Sequence, residues 1–403
     1  MDKTVFEPAR EIPVAGRYDV IVAGGGIAGI AAALSARRAG AKSVLLIERE
    51  YMLGGLATLG LVTIYLPLCD GRGRQVSFSI AQELLDLSIS RGAEEELLPE
   101  CWQRNASREE RAKHRYRCQY NPAVFASLAD QFLLEEGVTL LFGTSVCAAA
   151  MKDGRIHALI TENKNGRQAY LADSFVDATG DADLCLMTGA ETVDFRQGNV
   201  MAAWCYATTC GELTLRPLGF SDKPDSEKPG GKTPESDTRE RFTGRDAAEL
   251  SRLMVLSRKW AVDDFLTQGD IAPGHSLVTL PTIPQIRMTR RLAGQSVMSL
   301  AQDGQFVQSS VGMISNWKRV GPVYEVPFGC LCADIPNLYA AGRCIAAEED
   351  MWDVTRVIPC CAVTGEAAGI AAVLGRDVDA VQGELRRRGV PLHCSEIDAA
   401  QRA

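Results

Sequence analysis

Apolar and polar positions alternate with two different rhythms along the 403-residue chain. Residues 18–50 read as a buried strand, a glycine turn, an alanine-rich helix and a second buried strand, which together make a βαβ unit. Residues 120–146 read as an N-capped amphipathic helix followed by another strand. Over 147–177 the strand-like runs are split by Asp153-Gly154 and Asn165-Gly166, dipeptides that signal hairpins and predict a small antiparallel meander. From 191 to 335 the βαβ rhythm stops, and helices mix with short strands. Residues 221–240 hold no aliphatic or aromatic side chain, which predicts a solvated loop or flap.

The turn in the βαβ unit carries chemistry. Gly24, Gly26 and Gly29 form G-x-G-x-x-G between strand and helix. The first allows a tight turn, the second lets backbone approach a pyrophosphate, and the third lets the helix pack on the sheet. Glu48 ends the next strand, where a carboxylate can accept from ribose hydroxyls. Three more turns follow: residues 53–60 with Gly55 and Thr58, residues 175–185 with Thr179-Gly180-Asp181, and residues 337–344 with Gly342-Arg343. Several separated turns suit a cofactor lying extended across the domain, as FAD does. No second G-x-G-x-x-G follows a strand, so a built-in NAD(P)H domain is not expected, and no CxxC lies near the fingerprint to supply a redox disulfide.

In this order the motifs resemble the FAD-dependent oxidoreductases with a glutathione-reductase-type FAD domain. The broad family described only as FAD-dependent oxidoreductase is the nearest group; fumarate reductase flavoproteins and flavin-dependent tRNA-modifying proteins are more distant. The resemblance runs from Tyr18 to Leu374 and includes residues 287–295, 316–331 and 364–369. It implies an α/β fold: a Rossmann-like FAD-binding domain with a β-meander and an inserted mixed α+β substrate domain. The FAD-binding domain is expected in three parts, 1–85, 118–190 and 335–375. An excursion would occupy 86–117, the substrate domain 191–334 and a tail 376–403.

Carried over by position, Gly24, Gly26, Ile27, Ala28 and Gly29, with Glu48 and Arg49, would hold the ADP half of FAD. Gly55, Leu56, Ala57 and Thr58 would run along pyrophosphate and ribityl, and Val146 would present backbone to adenine. Ala178, Thr179, Gly180 and Asp181 would form the turn near the cofactor. Gly342 and Arg343 would contact pyrophosphate or ribityl, an arginine standing where many flavoproteins carry an acid. A helix is expected to begin at Thr364, with the N–H groups of Thr364 and Gly365 facing the flavin.

The implied reaction is hydride transfer between flavin N5 and a small organic substrate, with an external electron acceptor or donor. Arg287, Arg290 and Arg291 lie together amid apolar neighbours, and their forks suit a substrate carboxylate, although acidic partners or flavin phosphate would occupy them equally well. Arg287 and Arg291 share a face if the segment is helical, and a strand is the alternative. Of four histidines, His275 lies shortly before these arginines and is the candidate base. Lys318, Tyr324 and Glu325 are further pocket candidates. A reductase of an activated C=C bond, or a redox sensor using Cys360 and Cys361, are the other readings. Net charge is −8 and offers nothing to nucleic acid or an anionic membrane. Thirteen cysteines without metal-ligand spacing read as reduced core thiols of a cytoplasmic protein; no metal site and no membrane span are expected, and oligomeric state is left open.

Overall fold

Strand Val14–Ala23 pairs in parallel with Val44–Ile47 on one side and Gly166–Asp177 on the other, with Val22 opposite both Leu46 and Val176. Val138–Leu141 extends the sheet beyond Val44–Ile47, and the antiparallel strands Arg155–Asn163 and Ser145–Lys152 continue it at the other side. These coordinates are a computed structural model that describes residues 4–94, 98–104, 106–219 and 240–397. Asp153 and Gly154 both have positive φ, 50° and 73°, the conformation a two-residue hairpin turn requires. The meander is therefore present as its dipeptides predict.

Strand Gly166–Asp177 serves two neighbours in succession. Its first half pairs antiparallel with Arg155–Asn163, while Phe175–Asp177 pair in parallel with Leu338–Ala340. The chain thus returns to the first sheet to place a third strand end beside the nucleotide turn. The fold is α/β, with the βαβ unit at its centre.

Two helices pack face to face against this sheet. Helix Ile27–Arg38 crosses helix Ile358–Leu374 through small residues. A Cβ on Gly365 would sit 2.9 Å from Ala31 Cβ and nearer still to Ala28 O, and one on Gly369 would sit 2.9 Å from the Ala32 carbonyl carbon. Ser35 Oγ donates to Glu366 O across the contact at 2.9 Å. From Ile358 to Ala372 the later helix is buried on every side, so it has no polar stripe. No single described helix is long and apolar enough to cross a membrane.

One expectation needs correction here, and one left open is decided. The helix expected at Thr364 begins at Ile358, because Pro359 fits the first turn and Val357 already has extended backbone as its N-cap. Of the two readings of the arginine segment, the strand is the one seen: Arg290–Leu292 pairs with Thr192–Asp194, and Arg287 precedes it in irregular chain. The region 191–334 also contributes a three-stranded sheet of Glu212–Arg216, Cys205–Thr209 and Ser276–Thr279, and helix Ala247–Leu266 capped by Asp246. Of the loop expected at 221–240, all but Glu240 lies outside the described residues.

Candidate active site

The strand Val14–Ala23 delivers the chain to Gly24, whose φ of +103° and proximity to Ala178 exclude a side chain: a Cβ there would lie 2.7 Å from the Ala178 carbonyl carbon. Gly29 is closed in differently, since its Cβ would meet Gly24 at 3.0 Å or less. Gly26 is the opposite case. A Cβ there would meet nothing within 4 Å, so its hydrogen faces open space. Gly26 also caps helix Ile27–Arg38, which has no side-chain cap and no acid in its first turn. Its first N–H groups are left for a ligand, with the positive end of the helix dipole behind them.

Glu48 completes this end. Its Oε2 accepts from Gly25 N at 2.6 Å and its Oε1 from Glu50 N at 2.9 Å. Burial pushes its pKa up, and those two N–H groups oppose the rise. A carboxylate oxygen accepts more than one bond, so a diol beside it can still be held.

These residues open on one cavity of about 870 Å³. Gly24, Gly26, Ile27 and Ala28 line it, as do Glu48 and Arg49; Val146 lines the same wall beyond them. Gly55, Leu56 and Ala57 form a second stretch, and Ala178, Thr179, Gly180 and Asp181 a third. Gly342 and Arg343 form a fourth. Arg343 packs over Gly180, donates to Ile286 O at 2.8 Å and faces Asp181 at 3.4 Å. That bond ties the last turn to the segment that carries Arg287, which also lines the cavity.

Other sequence candidates stand behind the wall or away from it. Thr58 Oγ1 donates to Leu53 O at 2.6 Å and packs on Gly54. Thr364 Oγ1 donates to Cys360 O at 2.8 Å and accepts from Gly342 N at 3.0 Å, so it shapes the turn from behind. Thr364 and Gly365 lie well inside their helix, where backbone N–H groups face intrahelical carbonyls; at its first turn Val357 and Ile358 line the cavity. Arg291 is buried at 5.8 Å over the Trp352 ring, off the cavity. His275 is also off it, its ring stacked on Phe265 at 4.4 Å and its Nε2 buried without a hydrogen-bond partner. Tyr324 and Glu325 are absent from the wall; Glu325 accepts from Val307 N and Cys394 N and meets His393 Nδ1 at 2.8 Å.

The structure adds residues that no local signal marked. Trp204, Trp317, Asp353 and Arg356 line the cavity together with Lys318. Asp353 is fully buried, contacts Lys318 Nζ and accepts from Arg356 Nε at 3.0 Å. Asp183 also lines the cavity, and burial pushes its carboxyl up to about 6, with Asp181 and Asp177 adding and Arg290 opposing. Cys361 lines it too, its thiol pushed up to about 11 by burial, while Cys360 is fully buried.

A helix N-terminus over an open glycine, a carboxylate one strand away and three further backbone turns on a single cavity define a dinucleotide-binding oxidoreductase site. The chain belongs to the FAD-dependent oxidoreductase family, whose model matches residues 19–203 and 239–386. No curated protein matches it. Among solved structures, it is similar to a geranylgeranyl bacteriochlorophyll reductase-like protein from Thermoplasma acidophilum, with 12% identity, TM-score 0.46, and 96% of this chain and 83% of that one covered. It is also similar to p-nitrophenol 4-monooxygenase from Pseudomonas putida DLL-E4, with 12% identity, TM-score 0.48, and 92% and 83% covered. A third is the open conformation of a flavocytochrome c3 fumarate reductase, with 13% identity, TM-score 0.42, and 91% and 79% covered. The family implies FAD, and the open space at Gly26 beside Glu48 fits its diphosphate and ribose.

Proposed function

We propose that the protein binds FAD non-covalently along the four turns and transfers a hydride between flavin N5 and a small, carboxylate-bearing organic substrate. The observation that carries this reading is that Arg287, Lys318, Asp353 and Arg356 line the same cavity as the four turns. Bound flavin supplies the hydride acceptor or donor. The chain's own residues do the rest. Val146 and Glu48 would mark the adenosine end, the N-terminus of helix Ile27–Arg38 would hold the diphosphate, and Val357 and Ile358 would face the flavin. Arg287 anchors the carboxylate and so sets the distance of the reacting carbon. His275, off the cavity, takes no part in the proton transfer. An external acceptor or donor closes the cycle. The segments 1–85, 118–190 and 335–375 act as the cofactor domain and 191–334 as the substrate domain. Thirteen free thiols suit a reducing compartment, and we place the enzyme in the cytoplasm.

The test is a visible spectrum of the purified protein, repeated anaerobically with panels of hydroxy acids, amino acids, amines and sugars. Flavin bands that bleach with a carboxylate class support the reading. Bands that stay oxidised with every panel, yet recover with an enoate after chemical reduction, would turn it into a C=C reductase. Absence of flavin bands after added FAD would end it.

A further inference from the structure

The wall around Arg287 has a character that the word "carboxylate" does not exhaust. Trp204 and Trp317 both line the cavity, and both indole N–H groups are bonded to protein: Trp204 Nε1 donates to Gly219 O at 2.8 Å and Trp317 Nε1 to Asp353 O at 3.0 Å. What each ring offers a ligand is therefore carbon. A cation lies over each ring: Arg287 is 4.9 Å from the Trp204 ring centre, and Lys318 is 5.2 Å from that of Trp317.

A two-stranded ribbon lines the same cavity and is fastened to both tryptophan segments. Ile64–Tyr65 pairs with Cys118–Gln119, and Val62, Ile64 and Leu66 turn to the cavity. Gln285 joins one end to Trp204, accepting from Trp204 N at 2.8 Å and donating to Gly60 O at 2.7 Å. Arg115 joins the other to the Trp317 loop through Asn316 O at 2.6 Å. Ile283 and Pro284 add more apolar wall beside Arg287.

We infer that this end of the cavity selects a flat, conjugated acid, aromatic or α,β-unsaturated, whose body lies along Trp204, Trp317 and the ribbon and whose carboxylate meets Arg287. The inference rests on the proposed flavin reaction for its place in catalysis, but not for its chemistry. An apolar lining that includes two indoles rewards a planar π-system over a flexible chain of equal size. A guanidinium carries five donors in a rigid fork, so bonds it already makes leave others for a carboxylate. Lys318, held by buried Asp353 beside Arg356, supplies positive charge over the second indole without itself being a fork. A small aliphatic acid would bond to Arg287 but cover little of the apolar lining, and a neutral arene would cover the lining but make no charged bond to Arg287.

The experiment titrates FAD-loaded protein with benzoate and cinnamate, with acetate and benzyl alcohol as the two half-ligands, reading flavin absorbance and tryptophan fluorescence. Benzoate or cinnamate should bind at least about tenfold more tightly than either half-ligand. Arg287→Gln should remove about tenfold or more of that affinity and leave benzyl alcohol unchanged, while Arg287→Lys should recover only part of it. Trp204→Leu should weaken benzoate and leave acetate unchanged. Equal binding of benzoate and acetate, or an unchanged affinity in Arg287→Gln, would overturn the inference. If added FAD produces no flavin bands, the flavin reading falls. The same titration of cofactor-free protein by tryptophan fluorescence then decides the acid slot alone: saturable, Arg287-dependent quenching supports it, and no response to benzoate defeats it.

Discussion

Glu366 allows a pH-dependent prediction with a defined sign. It sits in the middle of the buried helix Ile358–Leu374 with 2% of its surface exposed. Its carboxylate accepts from Ser79 Oγ at 2.7 Å and Ile80 N at 3.4 Å, so it caps helix Ile80–Ile89 from outside, while Arg388 Nη1 stands 3.6 Å away. Burial outweighs these partners and pushes its pKa from 4.5 up to about 7. Folding therefore favours the protonated form. Below pH 4.5 the group is protonated in both states and costs nothing; from there to about 7 the folded state holds a proton that the unfolded state has lost, so stability falls as pH rises. At 1.36 kcal/mol per unit the loss is about 3 kcal/mol by pH 8. With an unfolding entropy of about 2.1 cal/mol/K per residue, that corresponds to about 3–4 °C in Tm for a chain this long. Glu366→Gln keeps an acceptor for Ser79 and removes the titration. Thermal unfolding of both proteins at pH 5, 6, 7 and 8, with equal FAD, should show the variant gaining about 3 °C on the parent between the ends of the series, because part of the loss has already occurred by pH 5. A Tm difference that does not change with pH would refute the reasoning, because it would mean that Glu366 is already ionised in the folded state at pH 5.

Two glycines with opposite surroundings should separate binding from folding. Gly26→Ala places its methyl in open cavity and costs the fold up to about 1 kcal/mol as a poorer N-cap; its far-UV circular dichroism should match the parent while FAD retention on a desalting column falls at least about tenfold. Retained FAD would show that no diphosphate passes Gly26. Gly365→Ala instead drives a methyl into Ala28 and Ala31, and the misfit of the two helices should cost about 1–3 kcal/mol, lowering Tm in the presence and absence of FAD alike.

What could be read from the chain, and what could not, follows from how local each signal is. The βαβ unit was legible because Gly24, Gly26, Gly29 and Glu48 act within one short stretch, each for a steric or hydrogen-bonding reason visible in residue type. The meander was legible for the same reason, through Asp153-Gly154. The return of Leu338–Ala340 to the first sheet was legible because a short apolar run ends there in a glycine turn. Thr364 and Gly365 show the limit of that logic. Glycine admits a ligand and glycine admits a neighbouring helix, and a single chain does not distinguish them; only the position of Ala28 and Ala31 against Gly365 does. His275 was chosen for its chemistry, and stacking on Phe265 removes it from the cavity. The far wall was least legible of all. Arg287 and Lys318 were marked by their charge, but Trp204, Trp317, Asp353 and Arg356 come from separate segments with no shared period, and each of these alone reads as an ordinary core or surface residue. Their meaning arises where Gln285 and Arg115 fasten those segments to the ends of one short ribbon. The glycine turns are written in short stretches of sequence, whereas the wall around Trp204 and Trp317 is written in the packing between distant ones.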